Sequence, residues 1–519
     1  MFDIKITNGQ VLDGTGSSPV RLDVGITGDR ISALGDLSAA ESHFTLHASR
    51  KIVCPGFIDA HSHSDAYLLI EPLAHSKIYQ GITTEVVGNC GASAAPLAGD
   101  YHIPMDWLDL EYPGKWNSVA EYRDLLEQVR PALNVVLLIG HSTLRAGVVG
   151  YENRPANDSE LQEMVRLFEQ SLDEGGRGLS TGLIYAPGMF APREELVELA
   201  KVAARHDGIY ASHMRNEGAH LLEAIKELVS IGKDAEIKAE ISHLKTSGRN
   251  NWGLIDDALD LIRKARAEGV DVAADRYPYT SGYTDLDIIF PEWAAEGGRE
   301  AVLRRVRNSS ERARLRADLF KSKSDDYWET VVIGSTSHPD NRRFQGMPIR
   351  QAAEHLGMEP VDAVLYFAES DELKTTAFFF GMSEDNMMKI LGEPYVMIAT
   401  DASLRAPTGP LSHDYPHPRA YGSFPRFLRM ALDGKTVPLP EAVRKMTSLP
   451  ATHFGLKDRG VIAESMKADI VVFEPTKVMD KASYANPHQL ADGIDHVIVN
   501  GVLTLIGGRL TGEHAGRFL

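Results

Sequence analysis

Between about residues 55 and 455, eight short apolar runs alternate with amphipathic helical stretches. The runs are IVCPGFIDAHSH, TTEVVGNCG, NVVLLIGHS, GRGLSTGLIY, GIYASHMR, IKAEISHLK, VDVAADRYPY and YVMIATDAS. Leu196, Leu199, Ala200 and Ala203 follow Pro192 at helical spacing and stop before Gly208. Ile255, Ala258, Leu259, Ile262 and Ala265 repeat the period and stop before Gly269. Both patterns predict helices. Repeated strand-then-helix units give a parallel sheet with right-handed crossovers, and eight of them predict an α/β fold of the (β/α)8 barrel type. More than 100 residues separate the seventh run from the eighth. They hold a strand-like VVIGSTSH and helical stretches, which predicts an inserted lobe over 282–345.

The two chain ends read as β-structure. Ile4 and Ile6 alternate with polar residues, Asn8-Gly9 signals a tight turn, and Leu22, Val24 and Ile26 alternate again before a turn at Gly28-Asp29. ADIVVFEP and HVIVNGVLTLIGGRL repeat this style at the far end, with Asn500-Gly501 as the hairpin turn. Neither end is long enough to bury a core alone. Residues 1–54 and 456–519 are therefore expected to join as one small β-sandwich beside a barrel spanning 55–455.

Charge narrows the function classes. The chain carries 54 basic and 72 acidic residues, a net charge of −18, and has no Lys/Arg tract. That argues against nucleic acid and anionic membrane surfaces as partners. Two cysteines, Cys54 and Cys90, make no disulfide framework and fit a reducing compartment. The start MFDIKITNGQ lacks a secretory pattern, and no run approaches the ~18 apolar residues of a membrane span. The expectation is a soluble, cytoplasmic protein acting on a small molecule.

In a parallel barrel the chemistry sits at the C-terminal ends of the strands. His61 and His63 end the first run, Cys90 the second, His141 the third, His213 the fifth, His243 and Lys245 the sixth, and Asp401 the eighth. The whole chain has 19 His and 2 Cys, so their gathering at equivalent positions points to a metal centre. His61 and His63 flank one residue, and a strand of period two turns both imidazoles to one face. A thiolate with two imidazoles, Cys90 with His213 and His243, is a good zinc set. Asp401 ends the strand that closes against the first, which suits a general base or a metal ligand. His141 has only its position, and a supporting or substrate-facing role is expected of it.

On PGFIDAHSH at the first strand, GNCG at the second and the insertion before the last, the chain resembles the amidohydrolase superfamily and, within it, the D-aminoacylase (N-acyl-D-amino-acid deacylase) group. Many amidohydrolases carry a carboxylated lysine on the fourth strand, but GRGLSTGLIY has none, and in this group a cysteine replaces it. The resemblance implies one tightly bound zinc ion on Cys90, His213 and His243. It implies a second, weaker or empty site on His61, His63 and Asp401, with Asp401 as the catalytic acid/base. It implies hydrolysis of the amide bond of N-acyl-D-amino acids, and the D-preference comes from it alone. In the group, a lysine after the sixth-strand histidine, a tyrosine of a Tyr-Pro-Tyr motif and an arginine of a His-Pro-Arg motif hold the substrate α-carboxylate. These fall on Lys245, Tyr277 and Arg419.

The chain departs from the group around the substrate. A serine that helps to bind the carboxylate is replaced by Tyr283, with Ser281 and Thr284 close by, and the familiar Asp-Gly is Asp401-Ala402. The stretch opening the insertion, LDIIFPEW, offers Ile288, Ile289 and Phe290, and no Lys or Arg occurs from Tyr277 to Gly298. A neutral, apolar substrate side chain is expected, with Arg405 as the cation that would contradict it. One rival function is a cyclic-amide hydrolase of the dihydroorotase or hydantoinase kind. The missing fourth-strand lysine and the presence of Cys90 argue against it. A non-catalytic scaffold relative is the other, and the complete set of candidate ligands argues against that.

Overall fold

In a computed structural model, described over residues 1–99, 101, 103–108 and 110–519, the eight runs form eight barrel strands. They are Phe57–Asp59, Ile82–Val87, Asn134–Leu137 continued by Ile139–Gly140, Gly178–Gly182, Ile209–His213, Lys238–Ile241, Val272–Arg276 and Val396–Ile398. Their ladders are parallel. The barrel closes between the eighth strand and the first, through a parallel bridge from Ser62 to Ala402 and an Asp401 N–H that donates to the His61 carbonyl at 2.9 Å. Side chains fill its interior, among them Ile58, Val86, Val136, Ile209 and Met397. The predicted helices appear as Arg193–Arg205 and Ile255–Ala267, with the periodic residues buried. Burying each large apolar side chain contributes ~1.5–3 kcal/mol.

Strands from both ends of the chain join in one nine-stranded hydrogen-bonded network. Ile470–Phe473 pairs antiparallel with Ile52–Pro55, which ties the ends together. The strand Phe2–Val11 has Val20–Thr27 on one side, and on the other Ser42–His47 followed by Ile52–Pro55. This fork wraps the network around a core that includes Ile4, Val24, Leu46, Val53 and Ile470, giving the β-sandwich. Asn8-Gly9 is not a turn. The strand runs straight through it with a register shift between Ile6 and Gly9, so Asn8, at φ 61°, makes a bulge. Asn500-Gly501 does turn the hairpin between Ile494–Val499 and Val502–Ile506, with φ of 47° and 80°.

The inserted lobe has its own core, from Leu286 to Ala377. Its sheet places Thr376–Phe380 between Ser281–Asp285 and Val331–Ile333. The packing unit therefore runs past residue 345, because the middle strand of its sheet comes last in sequence. A cavity of about 1950 Å³ lies between the lobe and the C-terminal ends of the barrel strands. No helix of the described residues is long and apolar enough to cross a membrane.

A buried lysine ties the barrel seam under this cavity. Lys77 Nζ donates to Asp59 Oδ2 at 2.8 Å, Thr400 Oγ1 at 2.8 Å and the Ala402 carbonyl at 2.9 Å, and lies 3.2 Å from Glu85 Oε2. Removing one partner of such a pair leaves uncompensated buried charge. Lys77→Ala is expected to lower unfolding stability by ~3–5 kcal/mol in denaturant titrations. A loss under about 1 kcal/mol would contradict the seam role.

Candidate active site

The motif GNCG is a close-packed turn. A Cβ on Gly88 would lie 1.9 Å from the Leu138 carbonyl, and one on Gly91 would lie 2.6 Å from the Gly182 nitrogen. The glycines let the turn press against neighbouring strands and push Cys90 into the mouth. Cys90, His243 and Asp401 all have left-handed backbone, with φ of 52°, 38° and 47°. Such conformations cost about 1–3 kcal/mol each and cluster at functional sites.

Cys90 Sγ lies 3.3 Å from His61 Nε2, 3.5 Å from His243 Nε2 and 3.7 Å from His213 Nδ1. Zinc–sulfur and zinc–nitrogen bonds of about 2.3 and 2.0–2.1 Å at a tetrahedral angle separate the donor atoms by about 3.5 Å. Cys90 Sγ stands at about this spacing from all three histidines, and donor atoms of His61, Cys90, His243 and Asp401 lie within 4.8 Å of one another, so the spacing and chemistry of the cluster fit a zinc ion. Burial alone would raise the Cys90 thiol, but the His61, His243 and His213 imidazoles hold it well below its ordinary range. The thiolate is the form that ligates.

Asp401 Oδ1 is 3.1 Å from His63 Nε2 and 3.4 Å from His61 Nε2, while Oδ2 meets Arg419 Nη1 at 2.6 Å. Against the cost of burial, Arg419 and then His243 hold the Asp401 carboxyl well below the usual carboxylate range. Behind the site, His61 Nδ1 lies 3.1 Å from Asp275 Oδ2, so that Nε2 faces the cluster. The two expected ligand sets are contiguous here, because Cys90 Sγ touches His61 as well as His213 and His243.

The other predicted residues divide. Tyr277 is fully buried, its ring 4.6 Å from the Arg419 guanidinium carbon. Neither Tyr277 Oη nor Arg419 Nε has a hydrogen-bond partner among the described residues. Lys245 lines the same cavity. Tyr283 also lines it, but its hydroxyl is taken by Ser335 and Thr376 and by the Tyr415 carbonyl. Only its backbone carbonyl meets Arg419, at 3.4 Å. Ser281 is engaged by His417 and Tyr484. Ile288, Ile289 and Phe290 line the cavity while packing the lobe core. Arg405 reaches the cavity wall with its Nε on Asp414 Oδ2 at 2.5 Å. His141 departs from expectation. It opens the helix His141–Val148 and turns away from the cavity, with Nε2 on Glu195 Oε1 at 2.8 Å.

Sequence reasoning missed Glu217. Its Oε1 accepts from Lys245 Nζ at 2.5 Å and lies 2.9 Å from His243 Nδ1. The one available signal was its place four residues after His213.

Known proteins share this fold. The family model described as "Amidohydrolase family" matches residues 47–505. D-aminoacylase of Alcaligenes xylosoxydans xylosoxydans is 37% identical, over 100% of this chain and 97% of its own length. N-acyl-D-glutamate deacylase of the same organism is 36% identical, over 96% of this chain and 93% of its own. The crystal structure of N-acyl-D-glutamate deacylase from Bordetella bronchiseptica, complexed with zinc and a phosphonate inhibitor that mimics the tetrahedral intermediate, superposes with a TM-score of 0.84 at 33% identity. It covers 100% of this chain and 99% of that one. The chain belongs to the amidohydrolase family, as an enzyme of its D-aminoacylase group.

Proposed function

We propose that the protein is a zinc-dependent deacylase of N-acyl-D-amino acids that bear a neutral, apolar side chain. The observation that carries this reading is a set of donors, on residues that line the cavity, beside the Cys/His/Asp cluster. Tyr277 Oη and Arg419 Nε are buried without hydrogen-bond partners among the described residues, and Lys245 lines the same cavity. Unpaired buried donors cost stability unless a ligand satisfies them, and an α-carboxylate suits these two together with the Lys245 ammonium, which Glu217 also meets. The D-configuration follows the names of the relatives.

Zinc held by Cys90, His213 and His243 would lower the pKa of water and polarise the amide carbonyl. The chain supplies the rest. Lys245, Tyr277 and Arg419 grip the α-carboxylate and fix the scissile amide over the cluster. Asp401 Oδ1 takes the proton of the attacking water and returns it to the leaving nitrogen. That return is required, because an amide nitrogen does not leave as an anion. His63 Nε2, 3.1 Å from the same oxygen, holds the carboxylate in place.

The side-chain preference rests on Ile288, Ile289 and Phe290 and on the pairing of two arginines that line the cavity. Arg405 is neutralised by Asp414, and Arg299 Nη2 lies on the Glu372 carbonyl and 3.9 Å from Glu372 Oε2. A substrate carboxylate buried against this wall would cost several kcal/mol. N-acetyl-D-Leu and N-acetyl-D-Met are expected to exceed N-acetyl-D-Glu and N-acetyl-D-Asp in kcat/KM by about two orders of magnitude or more. The assay should run D- and L-substrates with zinc content measured alongside. A preference for the acidic substrates would overturn the apolar pocket. Turnover of a hydantoin but of no N-acetyl-D-amino acid would overturn the reaction itself.

A further inference from the structure

Glu217 stands behind the metal cluster and faces the outer nitrogens of two histidines. Its Oε1 is 2.9 Å from His243 Nδ1, and its Oε2 is 3.9 Å from His213 Nε2. The inner nitrogens, His243 Nε2 and His213 Nδ1, face Cys90 Sγ. At 3.9 Å Glu217 makes no hydrogen bond to His213 Nε2, which is buried without a partner among the described residues. Lys245 Nζ completes the group, 2.5 Å from Glu217 Oε1 and 2.6 Å from His243 Nδ1.

A neutral imidazole that ligates through one nitrogen carries its proton on the other. To ligate through Nε2, His243 must keep a proton on Nδ1. Two groups compete for that nitrogen. An ammonium can only donate. Lys245 alone would make Nδ1 an acceptor and drive the proton to Nε2, where it blocks a metal. A carboxylate can only accept. Glu217 Oε1 is placed to take the hydrogen bond of an Nδ1 proton, and it also pairs with the Lys245 ammonium. The ammonium already fills the space between Glu217 and His243, so this carboxylate is arranged to support the cluster and not to hold a second cation there.

We propose that Glu217 is the positioning residue of the metal centre: its carboxylate competes with Lys245 for His243 Nδ1 and so sets the tautomer of His243. This rests on Cys90, His213 and His243 being the metal ligands. The test is titration of the metal-free full-length protein with Co²⁺, followed by the thiolate-to-cobalt absorption band. Glu217→Leu is expected to weaken cobalt binding by about 10–100-fold. Adding Lys245→Met to Glu217→Leu is expected to recover about tenfold, since the competing donor is gone. Melting temperatures of the metal-free proteins report folding, and Glu217→Gln with and without Lys245→Met is read the same way if the leucine variant does not fold. Unchanged affinity in the Glu217 variant overturns the proposal, and so does a loss that Lys245→Met fails to relieve. A wild-type protein that gives no thiolate–cobalt band would overturn the ligand set instead, and Glu217's role with it.

Discussion

Cys90→Ala is expected to lose most of its zinc and its activity together. The thiolate is the hub of the cluster, within 3.3–3.7 Å of three imidazoles, and its negative charge offsets the charge of a dication in a buried place. Without it, the site proposed on Cys90, His213 and His243 keeps only two nitrogens, which is a poor zinc set. Alanine fits the left-handed backbone at residue 90 no worse than cysteine does, so the fold should persist. Cys54→Ala is the matched control. That thiol is buried in the strand Ile52–Pro55 of the β-sandwich network, where burial holds it protonated. Zinc measured after dialysis, with melting temperature alongside, checks the expectation. Near-stoichiometric zinc and full rate in Cys90→Ala would show that the metal is held elsewhere.

The barrel was legible because its signals are local and repeated. Each strand-then-helix unit has its own periodicity, and Gly208 and Gly269 mark where two helices stop. The cluster was legible for a different reason: scarce residue types stood at equivalent positions along the chain. The same reasoning misplaced His141, whose position is equivalent but whose partner is not. Its partner is Glu195, which also pairs with Arg145, and only packing decides which way a buried imidazole turns at a helix start. Glu217 and Lys77 escaped notice because loop glutamates and helix lysines are ordinarily solvated. Nothing local marks a lysine that three other segments enclose. The lobe ran past its predicted limit because its central strand, Thr376–Phe380, pairs with neighbours about 45 and 95 residues earlier, and such long-range pairing leaves no local trace. Tyr283 was placed near the carboxylate by its position alone, and its hydroxyl found closer partners in the lobe.

Asp401→Asn is expected to lower kcat by about 10²–10⁴, roughly 2.7–5.4 kcal/mol of transition-state stabilisation, while the zinc proposed on Cys90, His213 and His243 stays bound. Asparagine is the informative substitution because it tolerates the left-handed backbone that residue 401 adopts, at φ 47°. It keeps the shape of the side chain and an oxygen for His63 or Arg419. What it loses is the capacity to take a proton from water and hand it to the leaving nitrogen. The Asp401–Arg419 contact of 2.6 Å makes the distinction from a binding role sharp. If Asp401 served only to hold Arg419 for the substrate carboxylate, the variant would raise KM and leave kcat near normal. If it moves the proton, kcat falls and KM changes little. Steady-state kinetics on N-acetyl-D-Met, with zinc content measured on the same sample, separates the two. A loss confined to KM would make Asp401 a binding residue and leave the proton transfer to another group.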